Sequence, residues 1–197
     1  MSAACGGADW RAIGLVDGAR GAVAPLAHYE RNACAPAAEE GAYALYLSGW
    51  RDGVDGYCEP ANGFRLGAAG SDFNGVCNGP EAVAFAEAFR AGEALYEAEA
   101  TTLAARNAHS NAQRELWVLK HRIAVIEVAL RSPSTSLTDR REMLAEERVL
   151  SEDAAALEAV LERLSAEIAS GQSAAAELRA RHAAGQGAAA RPQAASY

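Results

Sequence analysis

An all-α fold is expected for this chain: a small disulfide-stapled, glycine-rich helical domain followed by a long antiparallel coiled-coil helical hairpin. Three observations lead there. The 197 residues include 49 alanines, the strongest intrinsic helix former, against six prolines. Glycines in the first third recur at helical spacing. From Leu95 onward, apolar and small residues alternate in steps of three and four through two long stretches.

Composition changes at Gly79-Pro80, before which lie 14 of the 18 glycines and all four cysteines. The organisation expected is a domain over residues 1–79 and a hairpin over 80–182, with helices at 80–132 and 138–182 and a turn at 133–137. A tail over 183–197, made of Gly, Ala, Gln, Pro and Ser without apolar periodicity, is expected to be disordered.

In the first domain, Gly14-x-x-Asp17-Gly18-x-x-Gly21 recurs as Gly49-x-x-Asp52-Gly53-x-x-Gly56, an internal repeat at an offset of 35 residues. Positions i, i+4 and i+7 share a helical face, so each copy offers a glycine stripe that admits another backbone closely. Helices are expected at about 8–20 and 38–57, joined by a shorter one after Gly21 and Pro25 that ends near Cys34. Between Cys58 and Cys77, Asn62-Gly63 reads as a turn flanked by Phe64-Arg65-Leu66 and Phe73, giving a small hairpin or an irregular loop.

An even number of cysteines in a segment too small for a large core favours two disulfides and an oxidising compartment. Cys5–Cys34 with Cys58–Cys77 closes the shortest loops. The sequence Met-Ser-Ala-Ala-Cys shows no basic region followed by an apolar one, so export is read from cysteine usage, with a cytosolic location if the start is genuine. A lipid anchor on Cys5 is the minor alternative, because it leaves an odd cysteine among the others.

Trp10 with the Gly14–Gly21 motif, Tyr46-x-x-Gly49, Tyr57-Cys58-x-Pro60-x-Asn62-Gly63, Leu66-Gly67-x-x-Gly70 and Phe73-x-Gly75-Val76-Cys77 together resemble a bacterial envelope family known only as a domain of unknown function. The resemblance spans about residues 5–96. It implies an exported or lipoprotein-type helical domain and supplies no activity or ligand.

The first heptad seam runs through positions 95, 98, 102, 105, 109, 112, 116, 119, 123, 126 and 130. A second runs through 143, 147, 150, 154, 157, 161, 164, 168, 171, 175 and 178. Pro133 stops the first helix, and Thr138 with Asp139 is the N-cap expected for the second. Folding about a centre between Ser136 and Leu137 makes facing residue numbers sum to 273, and a small or medium residue then often opposes a large one, as when His109 meets Leu164 or Ala105 meets Ile168.

Net charge is −8 with Lys120 the single lysine, which argues against nucleic-acid binding and lysine chemistry. No run of about 18 apolar residues is present to span a membrane. The cysteine spacings match no zinc site, Gly63–Gly70 lacks the Gly-Lys-Ser/Thr of a phosphate loop, and the four histidines His28, His109, His121 and His182 form no ligand pair. No cofactor, metal or catalytic set is therefore expected. Trp10, Asp17, Trp50 and Asp52 are candidates for a ligand groove, against the plainer reading of an aromatic wedge with paired aspartates.

Trp117, Val118, Val125 and Val128 form a second apolar face outside the seam. They lie roughly 55–70 Å along an unbroken helix from Pro80, beyond the reach of a compact first domain. The expected role is a non-enzymatic envelope scaffold or docking module. Its hairpin tip would bind a second copy in a four-helix packing, ahead of a different protein or a membrane surface. The competing class is a ligand-binding or hydrolytic module built on residues 8–77.

Overall fold

The computed structural model describes residues 8–23, 41–73 and 75–189. Among them are five helices and no strand: α1 (Trp10–Ala19), α2 (Ala42–Tyr57), α3 (Pro60–Ala68), α4 (Pro80–Arg131) and α5 (Leu137–Ala189). The all-α expectation holds. The short helix expected after Gly21 lies outside the described residues, as do Cys5 and Cys34. The chain divides into two compact units, residues 1–96 with 178–197, and residues 97–177. The boundary read at Gly79-Pro80 therefore marks only where α4 begins; its first turns pack into the first unit.

In that unit, Asp9 caps α1 by accepting from the Ala12 amide at 3.0 Å. Helices α1 and α2 run parallel, with bare backbone against bare backbone. A Cβ on Gly14 would lie 2.8 Å from the Trp50 amide nitrogen, one on Gly18 2.8 Å from that of Val54, and one on Gly53 2.6 Å from that of Ala19. The two copies of the offset-35 repeat are thus the two halves of one interface. Beyond the end of α1 the chain reverses at Gly21, whose φ of 69° favours glycine, and the Ala22 amide there donates back to the Asp17 carbonyl at 3.0 Å. The Tyr57 ring closes over Gly21 so tightly that a Cβ there would lie 2.6 Å from a ring carbon.

Residues 60–68 are helical, which overturns the turn read at Asn62-Gly63. Glu59 and Pro60 start α3 with extended backbone followed by a proline whose missing N–H costs nothing at that position. Asn62 donates to the Tyr57 carbonyl at 2.6 Å and accepts from Arg65, so its amide serves the helix start. Gly63 is glycine because a Cβ there would meet the Phe85 carbonyl at 2.6 Å. Gly67 meets the Glu93 amide and Gly92 the Ala68 amide, each at 2.7 Å, so α3 and the start of α4 form a second parallel pair.

Between the pairs sits a core of Val54, Tyr57, Val76, Phe85 and Phe89 around the Cys58–Cys77 disulfide. Phe73 packs on Phe85 and Phe89, with ring centroids 4.9 and 5.8 Å away. A smaller cluster joins Trp10, Ala42 and Tyr46.

The second unit is the antiparallel hairpin. Every seam position from 95 to 130 and from 143 to 178 is buried or half-buried, and most positions between them are exposed. The register stands as expected: a Cβ on Gly171 would collide with the Thr102 hydroxyl, and these two numbers sum to 273. Ion pairs Arg122–Glu146 at 2.8 Å and Lys120–Glu158 at 2.7 Å sum to 268 and 278, flanking the seam. Thr102, buried, satisfies its hydroxyl on the Ala98 carbonyl at 2.7 Å.

The cap of α5 is Ser136 and not Thr138, since the Ser136 hydroxyl accepts from the Asp139 amide at 3.1 Å and helix begins at Leu137. Arg140 reaches back to the Leu130 and Ser132 carbonyls, giving the final carbonyls of α4 charged donors. Helix α5 also continues to Ala189, through residues 183–189 that composition assigned to a disordered tail. Four alanines in that stretch offset its two glycines in helix propensity.

Candidate functional site

The seam uses Leu116, Leu119, Ile123 and Ile126 to hold α4 against α5, which fixes what the other faces of α4 can do. At about 100° per residue, Trp117, His121, Val125 and Val128 fall within about 80° of one another, on the side away from the seam. They are exposed as that geometry requires: Trp117 by 67%, Val118 by 57%, Val125 by 46% and Val128 by 65%. Leu103 lies on the same stripe and is also exposed. The Trp117 ring stacks on His121 with centroids 5.5 Å apart, and a shallow depression beside it is bounded by Ser110, Gln113, Arg114 and Val118.

The charged groups nearby are largely committed to each other. Arg122 makes a two-pronged contact to Glu146, at 2.8 and 3.2 Å, and Arg131 pairs with Glu127 at 3.2 Å. The hydrogen bond from Arg122 holds the Glu146 carboxyl below its usual range, and the same bond raises the guanidinium. What remains on the stripe is apolar surface with the Arg114 guanidinium, bonded to Asn111, at one end, suited to association with another apolar surface.

The four groove candidates of the first unit are not brought to one cavity. Trp10 is buried core. Asp17 accepts from the Tyr46 hydroxyl at 3.0 Å, and Asp52 pairs with Arg11 at 2.5 Å on the surface. Trp50 donates its indole N–H to the Ala22 carbonyl at 2.8 Å. It also lines a cavity of about 540 Å³ with Arg51, Val54, Asp55, Asn78 and Glu81, beside Cys58. Sequence reasoning missed Asp55, Asn78 and Glu81, which line one cavity where the disulfide ties the end of α2 to the segment before α4. Of the cysteines, Cys58 and Cys77 are bonded, with Cα atoms 5.6 Å apart.

The stretch over residues 9–94 matches the family model described as Protein of unknown function (DUF2799), which places a domain of unknown function in this part of the chain. The match runs from the Asp9 cap through both parallel helix pairs and stops within α4, leaving the apolar stripe outside it. No curated protein and no solved structure matches the chain. Among the described residues no helix is long and apolar enough to cross a membrane.

Proposed function

We propose that the protein is a non-enzymatic scaffold or docking module of the bacterial envelope, and that α4 binds a second copy of the chain through the stripe around Trp117. The observation that carries this reading is Trp117, Val118, Val125 and Val128 standing exposed on a helix whose seam is already filled. The stripe is self-complementary. Trp117 precedes His121 by four residues and Val125 follows it by four, so a copy related by a two-fold axis near His121 sets each tryptophan against a valine of the other. Burying such side chains contributes about 1.5–3 kcal/mol each, enough for a few to drive association. An envelope location is supported by the Cys58–Cys77 disulfide, which persists in oxidising compartments.

Sedimentation equilibrium tests the association. The expected result is a dimer that becomes monomeric in the Trp117→Ala, Val125→Asp double variant; a wild type that stays monomeric at high concentration refutes it. Fractionation of cells expressing the tagged protein tests location, and recovery with the cytosol overturns that part. The competing ligand-binding reading draws on the Trp50 cavity; it would be favoured by a small molecule that quenches tryptophan emission in Trp117→Phe protein and fails to do so after Trp50→Leu.

A further inference from the structure

The two glycine-sealed helix pairs of the first unit repeat each other. On their first helices Gly14, Gly18 and Gly21 correspond to Gly63, Gly67 and Gly70 at an offset of 49 residues. On their second helices Tyr46, Trp50, Gly53 and Tyr57 correspond to Phe85, Phe89, Gly92 and Tyr96 at an offset of 39. The correspondence holds in space. Gly18 approaches the Val54 amide as Gly67 approaches that of Glu93, and Gly53 approaches Ala19 as Gly92 approaches Ala68. Both first helices end in the same reversal, with the Ala22 amide on the Asp17 carbonyl and the Ser71 amide on that of Leu66, each at 3.0 Å. Tyr46 and Phe85, equivalent to one another, are the largest fully buried side chains.

The copies differ in what covers one face. In the second copy, the Phe64 ring stacks on His182 of α5 with centroids 3.5 Å apart, and Leu95 is buried. The end of α5 from Leu178 onward belongs to this unit and lies over that face. In the first copy the equivalent of Phe64 is Leu15, 40% exposed, and the equivalent of Leu95 is Gly56, where an added Cβ would meet nothing within 4 Å. Leu45, on the same helix, is 52% exposed. Among the described residues, the backbone frame that seats a helix in one copy thus stands open in the other.

We propose that the α1–α2 face around Leu15, Leu45 and Gly56 is a docking site for an α-helix of another protein, seated as the end of α5 is seated on α3 and α4. The chemistry of that partner follows from the positions that differ. Asp52, already paired with Arg11, and Asp55 stand where the second copy has Ala91 and Ala94, so the carboxylate of Asp55 calls for an incoming helix with a basic side chain at that edge of an alanine- and leucine-bearing face. Gly56 admits such a helix at close range.

The probe is a fluorescent synthetic peptide of residues 174–189 carrying E177K, titrated into the full-length protein and read by anisotropy. Saturable binding is expected, weakened at least about tenfold by Leu15→Asp and unaffected by Leu144→Asp at an exposed position of α5, with circular dichroism confirming that both variants fold. No saturation at about 1 mM peptide, which corresponds to roughly −4 kcal/mol, overturns the proposal. So does binding that survives Leu15→Asp, because the peptide would then be replacing the chain's own α5.

Discussion

Gly53→Ala and Gly56→Ala make the same chemical change three residues apart in α2, and the structure requires opposite outcomes. At Gly56 nothing among the described residues lies within 4 Å of the added methyl. The gain is helix propensity, about 0.5–1 kcal/mol, reduced towards the lower figure because the helix ends one residue later. At Gly53 the methyl would stand 2.6 Å from the Ala19 amide nitrogen and 2.9 Å from the Gly18 carbonyl carbon, both backbone atoms that cannot rotate aside. Ordinary contact begins near 3.4 Å and the Leu15 carbonyl oxygen stands closer still, so α1 must retreat by at least roughly 0.8 Å, a gap at which buried atoms forfeit a quarter to a half of their dispersion energy. Overpacking of this kind costs about 1–3 kcal/mol, more than the propensity gain. Thermal unfolding followed by Trp10 and Trp50 emission, in a Trp117→Phe background that silences the hairpin, should show Gly56→Ala raising Tm and Gly53→Ala lowering it by roughly 4 °C per kcal/mol. Two shifts of the same sign would refute the close-packed parallel pair.

Further outcomes follow from the same geometry. Because the equivalents of Asp17 and Tyr46 in the second helix pair are Leu66 and Phe85, Asp17→Leu with Tyr46→Phe should be more stable than Asp17→Leu alone; a double variant as unstable as the single one contradicts the equivalence. Reducing Cys58–Cys77, which closes a loop of 19 residues, should destabilise the first unit by about 3 kcal/mol and leave the hairpin unmelted, and non-reducing peptide maps should also join Cys5 to Cys34 as the sequence predicts. Burial raises the Tyr57 phenol above 10.0, with Arg65 pulling it partly back, so the stability it confers is full below that pH and is lost as pH rises through the folded-state value. Tyr57→Phe should flatten that alkaline loss in urea titrations. At the acid end the lowered Glu146 carboxyl works in the other direction: its contribution is present above 4.5 and disappears as pH falls through the folded-state value, a dependence that Glu146→Gln removes.

The hairpin was legible in the sequence because its information is periodic. A helix repeats its faces every three to four residues whatever surrounds it, so the seam positions, the register at 273 and the exposure of Trp117, Val118, Val125 and Val128 all follow from counting along the chain. The Cys58–Cys77 bond was legible for a related reason, since the shortest loop is a local property. The meaning of the glycines was not. Gly63 and Gly56 have identical side chains and both lie in helix, yet one is pressed on the Phe85 carbonyl and the other faces open space. That difference depends on what a distant segment brings to the glycine, and nothing beside it in sequence records this. The same gap made Asn62-Gly63 read as a turn and the offset of 35 as the repeat, when 35 relates two helices that touch and the duplication runs at 49 and 39. Sequence determined the two long helices and which face of the hairpin is closed; only tertiary packing decided which backbones touch, because close approach is a property of pairs of segments.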